Sequence, residues 1–251
     1  MAVIWLIERF ARSLLILMTV LLFTILHLPA EARPDKGIKA GVNLSSMAGD
    51  VGIGAESSPR MGTLFGGFLT YHVNDNLAIQ PELLVSMKGI RREVAVPAFG
   101  GRVDFTETAK LTYLEIPILL KFPVPTRKAI WPSVFVGPAV GFGLMGKNEG
   151  SYTVTGTTVI ESSSFKGDLG NLRKLDFSLV IGGELGFMVG SQRFTLDIRY
   201  VSGLYGALGE TDQLNSLPPE EIPLYDLRKD KALDIRNEVF SISIGLLLGR
   251  Q

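Results

Sequence analysis

The sequence predicts an all-β fold, one antiparallel up-and-down barrel of about eight strands that crosses a membrane. Three observations lead there. Apolar and polar residues alternate with period two along most of the chain, the gaps between these runs are short and long in strict turn, and 28 glycines are spread through a chain of mean hydropathy +0.28. Glycine-rich chains are ordinarily polar, so glycine inside apolar runs fits closely packed strands better than loops.

Residues 1–32 precede this pattern and read as an export signal. Arg9 and Arg12 form a positive region, residues 13–28 are apolar, and Ala30 and Ala32 make a small-x-small cleavage site. Cleavage is expected after Ala32, leaving residues 33–251 as one barrel domain and His72 as its only histidine. An uncleaved helical anchor is the alternative, since the apolar stretch approaches the length of a transmembrane span.

The strands follow in order. Residues 37–47 and 62–71 are candidate strands, and in the third Leu77, Ile79, Leu83 and Val85 alternate with Gln80, Glu82 and Ser86. The fourth sets Leu114, Ile116, Ile118, Leu120 and Phe122 against Tyr113, Glu115, Leu119 and Lys121, and residues 133–145 supply a fifth. In the sixth, Leu175, Phe177, Leu179, Ile181, Leu185 and Phe187 oppose Asp176, Ser178, Gly182 and Glu184. Phe194, Leu196, Ile198 and Tyr200 oppose Thr195, Asp197 and Arg199 in the seventh, and Phe240, Ile242, Ile244 and Leu246 oppose Ser241, Ser243 and Gly245 in the eighth. Period-two alternation places each set on one face.

Connections sort by length. Those at residues 72–76, 123–130 and Gly190-Ser191 are short, whereas 48–61, 92–108, 146–173 and 204–236 are long. Short turns on one side and long loops on the other are the habit of outer-membrane barrels. Tyr71, Phe122, Trp131, Phe187 and Phe194 all adjoin the short turns and would form one ring at the membrane interface.

In lipid the apolar set must face outward and the polar set must fill the lumen, the inverse of a soluble barrel. Lys39, Glu82, Lys88, Glu115, Lys121, Asp176, Glu184, Asp197 and Arg199 are then lumenal. A two-residue hairpin at Gly190-Ser191 pairs Phe187 with Phe194 outside and Glu184 with Asp197 inside, with Arg199 diagonal to Glu184 as the expected cation. These charges are expected to form a plug of ion pairs rather than an ion path.

Composition narrows the function. Lys+Arg and Asp+Glu both number 25, so no net field favours nucleic acid, and the absence of cysteine excludes thiol chemistry, disulfides and a cysteine zinc site. His72 has no His-x-x-x-His or Gly-x-Ser-x-Gly companion, so an enzyme is not expected. Residues 137–143 are glycine-rich but lack the Lys-Ser/Thr of a phosphate loop, and Glu220, Glu221 and Asp226 match no calcium loop. No cofactor or metal is implied. The long loops are the expected contact surface for a protein partner, above all residues 217–225 with their prolines and apolar side chains.

The segments GIKAGVNLS at 37–45, LAIQPELL at 77–84, LTYLEIPILLKF at 111–122 and FVGPAVG at 135–141 resemble the PorT-like outer-membrane β-barrel family, with YLEIP as the most specific block. The resemblance spans residues 37–249 and implies an outer-membrane location, lipid as the surroundings and the barrel-insertion machinery as an assembly partner. It implies little chemistry. Barrels of this kind commonly end in an aromatic residue, whereas this chain ends LLLGRQ at 246–251. The leading expectation is a noncatalytic barrel with an envelope-structural or interaction role. A narrow pore, a lipid-modifying barrel hydrolase and a soluble ligand-binding barrel are the alternatives.

Overall fold

The computed structural model describes residues 34–48, 55–98, 101–126, 129–156, 160–168, 175–206 and 236–248. The expected export signal, the segment 217–225 and the last three residues lie outside them. The described residues form nine strands: β1 (Asp35–Ala48), β2 (Ala55–Asn74), β3 (Leu77–Ala98), β4 (Gly101–Pro123), β5 (Ile130–Gly156), β6 (Ile160–Asp168), β7 (Leu175–Val189), β8 (Gln192–Gly206) and β9 (Arg236–Leu248). No described helix is long and apolar enough to cross a membrane.

Eight of the nine close a ring in the order β1-β2-β3-β4-β5-β7-β8-β9, because β4 pairs with β5 and β1 pairs with β9 along Lys36↔Leu248 to Ala48↔Arg236. Every pairing is antiparallel, as an up-and-down chain requires. Closure removes the open edges that would leave backbone polar groups unpaired in lipid. The ninth, β6, pairs only with the far half of β5 and stands outside the ring.

The alternation is inverted relative to a soluble barrel. Ile181 is 55% exposed and Ile244 52%, whereas their opposite-parity neighbours include Asp197 at 0% and Lys88 at 1%. An outward face of that kind is stable only against hydrocarbon. At the tight turn Gly190 takes φ +61° and the register pairs Phe187 with Phe194 and Glu184 with Asp197. A positive φ at the first central position matches the twist of a two-residue hairpin, and glycine adopts it without a Cβ clash.

Two of the long connections are ribbons instead of irregular loops. β3 and β4 continue pairing out to Ala98↔Gly101, and β5 runs on to Gly156 against β6. Their sequence loses the one-sided apolar period above the membrane, yet stays rich in β-branched and aromatic residues such as Val94, Val103, Phe105, Tyr152 and Val154, which favour strands wherever they lie. Patterning by hydrophobicity alone therefore ended these strands too early.

Candidate functional site

The ring of strands encloses a lumen, and among the described residues side chains fill it in layers. Nearest the short turns, Lys121 on β4 forms an ion pair with Glu184 on β7, and Gln80 accepts a hydrogen bond from Thr70 at 2.8 Å. One step further in, four charges interlock. Lys39 Nζ lies 2.8 Å from Glu82 Oε1 and 3.0 Å from Asp197 Oδ2, while Arg199 donates to Glu82 Oε2 at 2.8 Å and to Asp197 Oδ1 at 2.8 Å. Gln80 Nε2 donates a further bond to Glu82 Oε1 at 2.8 Å. Two cations and two carboxylates cancel, and each oxygen has a donor, which is the condition under which buried charge is tolerated.

Above this layer sits an apolar one: Leu119, Phe135, Ala139, Val180, Val201 and Val239, contributed by β4, β5, β7, β8 and β9. Phe135 spans the two layers, its ring 5.3 Å from the Arg199 guanidinium. Next comes a second polar layer in which Lys88 pairs with Glu115 and approaches Asp176 Oδ2 at 3.7 Å. Asn237 Nδ2 donates to Asp176 at 3.0 Å, and Asn43 joins Ser86 and Ser241 by bonds of 3.0 and 2.8 Å. A cavity between the layers, lined by Asn43, Leu84, Glu115 and Val239 among others, is about 10 Å³. That is room for one water at most.

All six residues singled out for a lumenal network, Glu82, Glu115, Lys121, Glu184, Asp197 and Arg199, are inside, but in two groups: Gln80, accepting from Lys121 at 3.3 Å and donating to Glu82, links the Lys121–Glu184 pair to Glu82, Asp197 and Arg199, while Glu115 pairs with Lys88. One pairing is corrected. Arg199 does not serve Glu184; it turns to Asp197 on its own strand and reaches across to Glu82, and Lys121 takes Glu184. Arg199 stands opposite Gly182 in the register, so its side chain is free to extend over a neighbour that has none. A Cβ on Gly182 would lie 2.4 Å from the Ile198 carbonyl oxygen and 2.5 Å from Phe135. Sequence reasoning placed Gln80 and Leu119 on the lumenal face by parity but did not single out Asn43, Asn237 or the apolar layer as a unit, although Val201 too shares the parity of the charges beside it.

Tyr71, Phe122, Phe187 and Phe194 point outward beside the short turns, on β2, β4, β7 and β8, but Trp131 does not join the expected ring: the register sets it opposite Gly186, on the face of the buried Ser133 and Glu184, and Ile130 takes the outward position opposite Phe187. Phe187 and Phe194 stack with centroids 6.0 Å apart. On the inner side of this rim Asp35 receives Arg193 Nη2 at 2.7 Å and His72 Nε2 at 3.3 Å. The hydrogen bond from His72, together with Arg193, brings its carboxyl down to about 2. His72 is thus engaged in an exposed rim contact that ties β2 to β1. Among the described residues no group of His, Cys, Asp and Glu could hold a metal ion.

A sequence model described as "Outer membrane protein beta-barrel domain" matches residues 33–208. No curated protein matches the chain. Among solved structures it is similar to OprG from Pseudomonas aeruginosa, at 13% identity and a TM-score of 0.41 over 87% of this chain and 98% of that one. It is also similar to Ail of Yersinia pestis, at 12% identity and 0.34 over 86% and 99%. Neisserial surface protein A gives 9% and 0.36 over 85% and 97%.

Proposed function

The chain belongs to the outer membrane protein β-barrel domain family and resides in the cell outer membrane, and from that premise we propose that it is a sealed, noncatalytic barrel serving the envelope as a structural or interaction protein. The observation that carries this reading is the lumen: two layers of paired charge enclose an apolar layer, and the cavity lined by residues of these layers is about 10 Å³. An ion path needs continuous water or a chain of weakly held sites, and paired charges packed against valine and phenylalanine offer neither. Contact with partners then falls to the long-loop side, where the β3–β4 and β5–β6 ribbons stand clear of the lipid.

Within the family we place it among PorT-like barrels on the block Tyr113-Leu114-Glu115-Ile116-Pro117, in which Tyr113 and Glu115 are lumenal and Leu114 and Ile116 face outward. Export by cleavage after Ala32 and assembly by the barrel-insertion machinery belong to the same proposal. Absence of catalysis does too: His72 and Asp35 pair at the rim as a strand tie, with Arg193 occupying the carboxylate that a catalytic histidine would need to itself. The test is conductance of the purified, heat-modifiable barrel in planar bilayers. No steps above the leak are expected, and stable unitary steps would establish the pore in place of the sealed barrel.

A further inference from the structure

The outward face of the barrel is apolar almost to its long-loop rim, and at one corner it changes abruptly to lysine. On β5 the outward residues Leu144 and Met145 are 58% and 52% exposed, and the next outward position is Lys147. On β4 the outward residue two positions above Thr112 is Lys110, and the register sets Lys110 directly against Lys147. β6 adds Lys166, paired in register with Glu149.

Two like charges directly opposite each other on one sheet face repel, and nothing in the fold relieves this pair completely. Glu149 is the local carboxylate, and it is shared: its Oε2 bonds to Lys110 while its Oε1 lies 3.9 Å from Lys166. Asp168 stands opposite Lys147 in the register, yet Lys147 forms no ion pair among the described residues. Three cations against two carboxylates leave the corner positive. Other outward positions at this rim differ: Gly89 on β3, Ser202 on β8 and, on β9, Glu238.

A step or two along the strand above lipid-exposed leucine and methionine is the depth of the headgroups. We propose that Lys110, Lys147 and Lys166 form a binding site for the phosphate of an outer-leaflet lipid, whose acyl chains lie along Leu144, Met145 and Phe142. A phosphate oxygen between Lys110 and Lys147 removes their repulsion and supplies the partner Lys147 lacks, and lysine binds phosphate as a compact point charge. The site is independent of whether the lumen conducts, since every residue in it faces away from the lumen.

The test uses the folded barrel in neutral detergent, titrated with lipid A. Lys110→Gln/Lys147→Gln is expected to weaken lipid A binding on the order of thirtyfold at low salt, and Lys110→Arg/Lys147→Arg to retain it. Because the substituted positions lie above the membrane span, heat-modifiability should be unchanged and reports that the variant is folded. Dephosphorylated lipid A separates the headgroup from the chains, and competition by inorganic phosphate separates a lipid site from a free-anion site. Equal binding by wild type and the Gln variant, undiminished binding of the dephosphorylated lipid, or phosphate binding as tight as lipid A binding would each overturn the proposal.

Discussion

Arg199→Met is the sharpest probe of the lower lumen layer. The guanidinium makes four hydrogen bonds, two to Glu82 and two to Asp197. Its removal takes the layer from two cations and two carboxylates to one and two, leaving Glu82 Oε2 and Asp197 Oδ1 without donors. Breaking a buried pair by deleting one partner costs about 3–5 kcal/mol. Adding Glu82→Gln restores neutrality, with Lys39 still 3.0 Å from Asp197, so the double variant should be more stable than the single one by about 2–3 kcal/mol. The remaining deficit, about 1 kcal/mol, is the lost stacking of the cation on Phe135. Urea unfolding in lipid vesicles, read by heat-modified migration and tryptophan emission, measures all three proteins. A double variant as unstable as Arg199→Met alone would refute the argument, because the loss would then come from packing and not from uncompensated charge.

Gly182→Ala should destabilise the barrel by about 1–3 kcal/mol, since its Cβ would meet the backbone oxygen of Ile198, which cannot swing aside. Gly167→Ala, with open space around it, is the neutral control in the same unfolding assay. The Asp35 carboxyl sits near 2 instead of its ordinary 3.8, so its contribution to stability is present above 3.8 and disappears as pH falls through 2. Asp35→Asn should therefore lower the unfolding midpoint at neutral pH and leave it unchanged below pH 2, and an equal deficit at both would show that the group acts by packing. With Trp5 in the expected export signal, Trp131 is the only tryptophan of the processed chain, and because it stands half exposed on the inner side of the short-turn rim its emission should be quenched more strongly by aqueous iodide than by quenchers carried on lipid.

Much of the barrel was legible because a membrane enforces a simple rule on each strand. In β7 and β8 every second residue faces lipid, so Leu179, Ile181, Leu196 and Ile198 announce the outer face and Asp197 and Arg199 the inner one. Adjacent-strand register was legible as well where a two-residue turn fixed it, as at Gly190-Ser191 with Glu184 opposite Asp197. The ribbons were not, because residues above the membrane are free of the one-sided rule. Val94, Phe105 and Tyr152 carry strand preference without the alternation that was used to find strands.

Cross-lumen partners escaped for a different reason. A hairpin specifies which residues sit side by side, but which side chains meet across a barrel depends on ring order and on the stagger accumulated around it. β3 and β8 are four places apart in the ring of eight, which puts Glu82 across the lumen from Arg199, whereas the nearest acid by hairpin geometry was Glu184. The choice follows charge as well as distance. Lys121 neutralises Glu184 from two strands away, so the pairing that completes both groups sends Arg199 across to Glu82 and leaves no carboxylate in the lower lumen without a cation. Closure of the ring and neutrality of its contents are thus one requirement: only when β1 meets β9 does Lys39 come within reach of both Glu82 and Asp197, and the ion pairs that fill the barrel also stabilise the seam that completes it.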